Sequence, residues 1–346
     1  MTIRDRRAIR AAADSALGSA QQGMRQILLS YIGIITALSL GCSVLTVILS
    51  DRIADTGGLR NMGLRSALST AQTLLPIVQM LVLWGLQLGY HTAALRVARG
   101  EPVSSDTLFG GFRRFFPLLR AMLVQGFLYT MAGVMSMYAA VYIFLLLPVS
   151  GDFQEIVMPA IESASILSGT ITLDEATVMA AAGAMMPALW IFGGLFLLFF
   201  VPMYYRYRLV MYRLIDHSHP RAFLALLESR AIMRRSRFQL LKLDLGFWWF
   251  YALQLLAPLL CYGDVLLGMF GIALPVPEMA AYFLFLILSL AAQAVIFSLA
   301  LNRVSVTYAV FYDTLLAQKE AERAERQRPP LPVHIPWQSP YEDETP

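Results

Sequence analysis

The sequence predicts an all-α membrane protein with six transmembrane helices, and three observations support that prediction. The chain of 346 residues is 58% hydrophobic and only 14% charged, with a mean hydropathy of +0.60, whereas a soluble domain carries about 25% charged residues. Six apolar runs are each long enough to cross the hydrocarbon core of a bilayer, about 30 Å thick. Charge is also segregated, because Tyr204–Lys242 holds nine bases while Pro148–Ala184 holds five acids and no base. This is the distribution that the positive-inside rule describes.

The first element is an N-terminal segment, residues 1–25, which carries five arginines and is expected to be amphipathic and cytoplasmic. The apolar run that follows is too long for the core of a signal peptide and fits a span better. The transmembrane domain is predicted to cover residues 26–316. Its spans are predicted at 26–49, 73–95, 121–147, 184–204, 245–267 and 280–301. Only helices satisfy their own backbone hydrogen bonds in lipid, so each span should be helical.

Orientation follows from the bases between the spans. Five precede the first span, five lie in the second connection and nine in the fourth, whereas the third and fifth connections have none. The first connection, with three arginines, is the exception. Both termini are therefore expected in the cytoplasm, with the chain as a multi-pass protein of the cell (inner) membrane.

Two cytoplasmic interfacial helices are predicted between the spans. The first covers Leu108–Phe116 and continues its apolar stripe to Leu119, with Arg113 and Arg114 off that stripe. The second runs from Pro220 to Phe238, and it places three arginines at i, i+4 and i+7 on one face. The candidates for contacts with anionic headgroups are Arg230, Arg234, Arg237, Arg113 and Arg114. The competing interpretation is an ordinary positive-inside helix end.

The last span is predicted to continue as an amphipathic helix through Val304 and Leu315. Arg303, just past the hydrocarbon, is expected to snorkel to the headgroups. Residues 317–346 should form a charged helix end and a tail with many prolines, disordered or in polyproline II conformation.

Two stretches, Leu88–Phe116 and Ala225–Phe250, carry motifs that resemble the DUF975 family. That family consists of bacterial polytopic membrane proteins without an established activity. The residues that carry the resemblance include Gly89, Arg99, Gly100, Phe109, Phe112, Ser229 and Met233. The resemblance implies a six-helix membrane fold and implies no chemistry.

An enzyme is not expected, because the sequence lacks a P-loop, a nucleophile elbow and a buried pair of carboxylates. The four histidines do not form a metal-ligand cluster, so neither a metal nor a cofactor is expected, and nothing indicates nucleic-acid binding. Asp244 and Lys242 are two residues apart and should point apart on a helix. Whether Cys42 and Cys261, both in apolar segments, pair with each other is left open.

Two classes of membrane function remain after enzymes and nucleic-acid binding proteins are set aside. The sequence favours a non-enzymatic protein that organises lipids or protein partners at the cytoplasmic face, through its helices or its tail. The alternative is a small-molecule or lipid transporter or permease component. Transporters place ionisable residues at mid-membrane, whereas the span interiors here offer glutamines such as Gln125, Gln254 and Gln293. We therefore expect a dry helix bundle, with polar indentations between the two interfacial helices.

Overall fold

A computed structural model of the chain describes residues 5–55, 62–147, 175–216, 222–269 and 277–327, together with Gly151 and Glu155. All regular elements in these ranges are helices. The α-helices are α1 (Arg6–Ser19), α2 (Gln21–Asp55), α3 (Met62–Ala98), α4 (Asp106–Phe109), α5 (Phe115–Leu145), α6 (Glu175–Tyr207), α7 (Val210–Asp216), α8 (Ala222–Ile232), α9 (Arg237–Asp244), α10 (Trp248–Leu259), α11 (Gly263–Met269), α12 (Glu278–Ile296) and α13 (Asn302–Gln327). Short 3₁₀ segments cover Gly110–Arg114, Met233–Arg235, Leu245–Phe247 and Leu260–Tyr262, and a π segment covers Phe297–Leu301.

Six helical stretches of the described chain are long and apolar enough to cross a membrane, which confirms the predicted number of spans. They are Gln21–Asp55, Met62–Ala98, Asp106–Leu145, Gly183–Asp216, Arg237–Tyr262 and Met279–Gln327. Most are longer than the apolar runs, because a helix continues into polar sequence beyond the hydrocarbon. The fifth is not one regular helix. It joins α9 and α10 through a 3₁₀ turn, and α10 ends just after Pro258, which has no backbone N–H to donate.

The spans pack as three hairpins, α2 with α3, α5 with α6, and α10 with α12. The buried residues of α2, α3 and α13 concentrate at one end of the bundle. In α2 these residues lie between Met24 and Tyr31, in α3 between Gly85 and Val97, and in α13 between Val304 and Leu315. We call this end, which also holds α1, α4 and α7–α9, the basic end. Away from it, large apolar side chains face outward, such as Trp190 at 79% exposure and Leu255 at 73%.

Helix α1 packs against the basic end rather than standing apart from it. Ile9 and Ala13 are buried. The Arg303 guanidinium makes two hydrogen bonds to the Asp14 carboxylate, at 2.8 and 2.7 Å. Arg303 therefore forms an ion pair within the protein, and its expected contact with headgroups stays a prediction.

The predicted helix at Leu108–Phe116 is broken in the structure. Its start forms α4, a 3₁₀ segment follows, and Phe115 opens α5. The break lets the segment cross closely over α3. A Cβ on Gly89 would lie 1.8 Å from the carbonyl oxygen of Leu108, and one on Gly111 would lie 2.2 Å from that of Gly85. The crossing therefore requires glycine on both backbones. The apolar stripe in the sequence predicts a helix and gives no information about such a close approach.

The predicted helix at Pro220–Phe238 is also broken. The described part forms α8, a 3₁₀ turn and α9, while Pro220 lies outside the described residues. Buried Ser236 separates α9 from the turn, with φ −113° and ψ 2°. Serine competes for backbone hydrogen bonds and favours helix boundaries. Arg230 and Arg237 therefore belong to different helices.

Candidate anion-binding site

Four arginines from four elements line one cavity at the basic end. Arg206 comes from the last turn of α6, Arg230 from α8, Arg234 from the 3₁₀ turn and Arg237 from the first turn of α9. With Leu227 and Ala231 they surround a volume of about 580 Å³, which we call the basic cavity. The three arginines that the sequence grouped on one helix are thus brought together by a break between two helices. Arg206 was not predicted.

The basic cavity has no carboxylate among its lining residues. Among the described residues, the buried Nε atoms of Arg206 and Arg237 have no hydrogen-bond partner. Buried polar groups normally find partners, and like charges held together disfavour each other. An anion in the cavity would satisfy both requirements. Guanidinium groups suit a phosphate in particular, because their paired N–H groups match its oxygens.

The lining of the cavity is held in place by buried contacts of α8. The hydroxyl of Ser229 donates to the carbonyl oxygen of Arg206 at 3.2 Å, which fastens α8 to the end of α6. Met233, the first residue of the 3₁₀ turn, is fully buried. The Arg213 guanidinium of α7 donates to the carboxylate of Glu228, on α8, at 2.9 Å. Ser229 and Met233, singled out in the sequence as family-motif residues, therefore position the arginines without lining the cavity.

An apolar surface adjoins the cavity along α8. Phe223 is 66% exposed and Leu227 45% exposed, and Arg230 follows them on the same helical face. At the start of α9, Phe238 is 77% exposed beside Arg237. The opposite face of α8 is buried through Ala225, Leu226 and Ser229. The site therefore joins a cationic hollow to an uncovered apolar strip.

A second basic hollow of about 240 Å³ lies beside the first and shares Arg234 and Ala231 with it. Its other bases are Arg235 and, on α13, Lys319, Arg323 and Arg326. Its one lining acid is Glu322, which pairs with Lys319 at 2.9 Å. We call this volume the α13 hollow.

The largest of the three described cavities, about 790 Å³, lies between α3 and the segment that follows it. It does not lie between the two predicted interfacial helices, which is where polar indentations were expected. Its lining mixes bases such as Arg96 and Arg113 with acids such as Glu101 and Asp106. Arg114 also borders it but donates to the carbonyl oxygens of residues 214 and 215 at the end of α7. The mixed charge makes this cavity a weaker anion site than the basic cavity.

Arg99 is engaged by the protein itself. Its guanidinium makes a two-point contact with the Asp313 carboxylate at 2.7 and 3.1 Å and reaches Asp216 at 2.8 Å. The hydrogen bonds to Asp313, and then those to Asp216, raise the pKa of Arg99 above its usual value. Gly100 has φ +74°, which ends α3 in the left-handed region and turns the chain back. These two motif residues therefore tie the end of α3 to α7 and α13.

Phe109 and Phe112, the other motif residues of this stretch, are 54% and 38% exposed. The Phe112 ring lies against α3 at Gly85, where a Cβ would come within 2.5 Å of it. Phe112 thus fills the close crossing of α4 and α3. Nothing in the structure explains the exposure of Phe109.

A buried polar cluster around Asp244 escaped sequence reasoning. The Asp244 carboxylate accepts hydrogen bonds from the hydroxyls of Tyr205, at 2.7 Å, and Tyr308. The Arg208 guanidinium stacks over the rings of Tyr204 and Tyr308, at 4.9 and 5.0 Å. The two tyrosines that donate to Asp244 come from α6 and α13. They are distant from Asp244 in sequence, and the spacing of Asp244 and Lys242 therefore did not indicate them. The cluster joins three helices at the basic end.

Within the part of the chain that the structure describes, no group of three His, Cys, Asp or Glu side chains is arranged to hold a metal ion. Two glutamines of the spans make hydrogen bonds to neighbouring side chains. Gln79 on α3 donates to the Ser39 hydroxyl on α2 at 3.2 Å, and Gln125 donates to the Tyr129 hydroxyl at 2.5 Å. These glutamines hold helices or helix turns together.

Comparison with known proteins finds no match for this chain among protein-family models, curated proteins or solved structures. The resemblance to the DUF975 family therefore stays a prediction, and the geometry of the basic end is the guide to function.

Proposed function

We propose that this protein is a non-enzymatic, multi-pass membrane protein that binds anionic phospholipid at its basic end. By holding such lipids there, it would organise the membrane or a protein partner at the cytoplasmic face. The observation that carries the proposal is the basic cavity, where four arginines meet without a lining acid. An unpaired group of this kind favours a phosphate-bearing ligand.

The apolar strip supports a lipid over a free anion. Phe223 and Leu227 stand on the face of α8 that leads to Arg230, and both are exposed. A phospholipid offers a phosphate for the arginines and acyl chains for such a strip, whereas inorganic phosphate offers only the first. The cluster also suits the cytoplasmic leaflet, where anionic lipids attract basic residues by about 1 kcal/mol each.

The test measures lipid binding by the purified protein with Arg206, Arg230 and Arg237 replaced by Gln. Liposomes of phosphatidylglycerol and phosphatidylcholine serve as anionic and zwitterionic surfaces. At about 1 kcal/mol for each arginine, the triple variant should bind the anionic surface at least tenfold more weakly. Binding of the native protein should also weaken with added salt.

The matched control is Arg120→Gln, because Arg120 is an exposed base near the start of α5 and lines neither basic volume. Its binding should stay near that of the native protein. Equal affinity of the triple variant and the control, at every salt concentration, would contradict the proposal. Substrate-dependent flux in proteoliposomes, lost when Gln125, Gln254 and Gln293 are changed, would instead favour the transporter alternative.

A further inference from the structure

We infer that the lipid bound at the basic end carries two phosphate groups on one headgroup, one held in the basic cavity and the other in the α13 hollow. This inference rests on the proposed function and specifies the ligand class of the same site. Its basis is that the two hollows are adjacent and share a wall, because Arg234 and Ala231 line both of them. A single phosphate can occupy one hollow only, whereas a headgroup with two phosphates can span the shared wall.

The charge of the two hollows matches such a ligand. Together they are lined by eight bases and one acid. The acid, Glu322, is already paired with Lys319. That pairing leaves seven lining bases without a lining carboxylate, whereas the phosphodiester of a lipid with one phosphate supplies a single negative charge. Two phosphates neutralise the pair of hollows more completely, with one beside the arginines of α6, α8 and α9 and the other beside those of α13.

The two hollows also differ in their setting. The basic cavity includes Leu227 and adjoins the exposed apolar strip of α8, so acyl chains have a surface beside it. The α13 hollow is lined by charged side chains of the last turns of α13, by Arg234 and Arg235 of the 3₁₀ turn and by Ala231, without a large apolar residue. The chains of the lipid half whose phosphate binds in the basic cavity would lie on that strip. The second contact then becomes an intramolecular event, which raises the affinity for a linked pair of phosphates.

The experiment compares two lipids in detergent solution by native mass spectrometry or microscale thermophoresis. Cardiolipin carries two phosphates that are joined through one glycerol, each with its own pair of acyl chains, and phosphatidylglycerol carries one phosphate. We expect the full-length protein to bind cardiolipin at least tenfold more tightly than phosphatidylglycerol. Inorganic phosphate and pyrophosphate, added as competitors, separate a free phosphate site from a lipid site, and neither should displace cardiolipin at millimolar concentration.

Three variants assign the two contacts. Arg206→Gln with Arg237→Gln removes bases of the basic cavity, and Arg323→Gln with Arg326→Gln removes bases of the α13 hollow. At about fivefold for each arginine, each pair should weaken cardiolipin binding by at least tenfold. The α13 pair should leave phosphatidylglycerol binding within about twofold, and Arg120→Gln should change neither. Arg323 and Arg326 are exposed, whereas Arg206 and Arg237 are partly buried, so size-exclusion profiles identical to that of the native protein are needed to confirm that each variant is folded.

The outcomes separate the two proposals. If phosphatidylglycerol and cardiolipin bind equally and only the basic-cavity pair matters, the two-phosphate inference is wrong and the proposed function stands. If neither pair of substitutions changes the binding of either lipid, both the inference and the proposed function are wrong. If pyrophosphate displaces cardiolipin completely, the site takes a free phosphate compound and the lipid assignment fails. Selective loss of cardiolipin binding in the α13 pair is the result that supports the inference.

Discussion

Replacing Gly89 by Ala tests the packing that builds the basic end. The new Cβ would lie 1.8 Å from the carbonyl oxygen of Leu108, whereas ordinary contact begins near 3.4 Å. The two backbones would have to separate by the difference, about 1.6 Å. The atoms that the new Cβ would meet all belong to the backbone of Leu108, so the shift cannot be taken up by a flexible side chain. Overpacking of this kind typically costs about 1–3 kcal/mol, and a clash with backbone should fall at the upper end.

The assay is the apparent melting temperature of detergent-purified protein, followed by size-exclusion chromatography after heating. At about 2 °C for each kcal/mol in a chain of this size, a loss of about 3 kcal/mol lowers it by about 6 °C. The matched control is Gly110→Ala, in the same segment, because a Cβ there meets nothing within 4 Å. It should change stability by less than about 0.5 kcal/mol. Equal melting temperatures for the two variants would refute the reasoning.

Three further predictions concern topology and buried polar contacts. A cysteine introduced at Ser168 should be labelled by an impermeant maleimide in intact cells while one in the tail is protected, and the reverse result would place the termini outside. Asp244→Ala should lower the free energy of unfolding by about 3–5 kcal/mol and lower the melting temperature strongly, because it leaves buried tyrosine hydroxyls and a nearby arginine without their carboxylate. An unchanged melting temperature would show that the cluster contributes little to stability. Arg99→Lys should cost about 1 kcal/mol, because an ammonium cannot reproduce the two-point contact with Asp313. Combining it with Asp313→Asn should be less than additive, and strict additivity would show that the two side chains are not coupled.

The number of spans was predictable from the sequence, because length and hydropathy are properties of continuous segments. The crossing of α3 by the following segment was not. It depends on Gly89 and Gly111 facing each other across two elements, and neither glycine reveals its partner in the linear sequence. Hydrophobic periodicity at Leu108 and Phe112 indicated one amphipathic helix, whereas the close approach of backbones selected a broken one.

The cluster of arginines around the basic cavity was predicted in part. The spacing of Arg230, Arg234 and Arg237 indicated a shared basic surface, and the structure brings these residues together in one cavity. The assumed reason, a single helical face, is wrong because Ser236 interrupts the helix. Arg206 and the α13 hollow were missed, since both depend on how α6 and α13 pack against α8. The spacing of residues in a sequence indicates which of them share a face of one helix. It does not indicate which residues of different helices lie next to each other.

A cryo-electron microscopy structure of the protein in native lipid is the most direct test of anion binding at the basic end. The account predicts phosphate density between Arg206, Arg230 and Arg237, with an acyl chain along the exposed face of α8. It also predicts a dry interior between the spans. A basic cavity that holds only water, together with a continuous polar path reaching Gln125 or Gln254 from either side of the membrane, would contradict it.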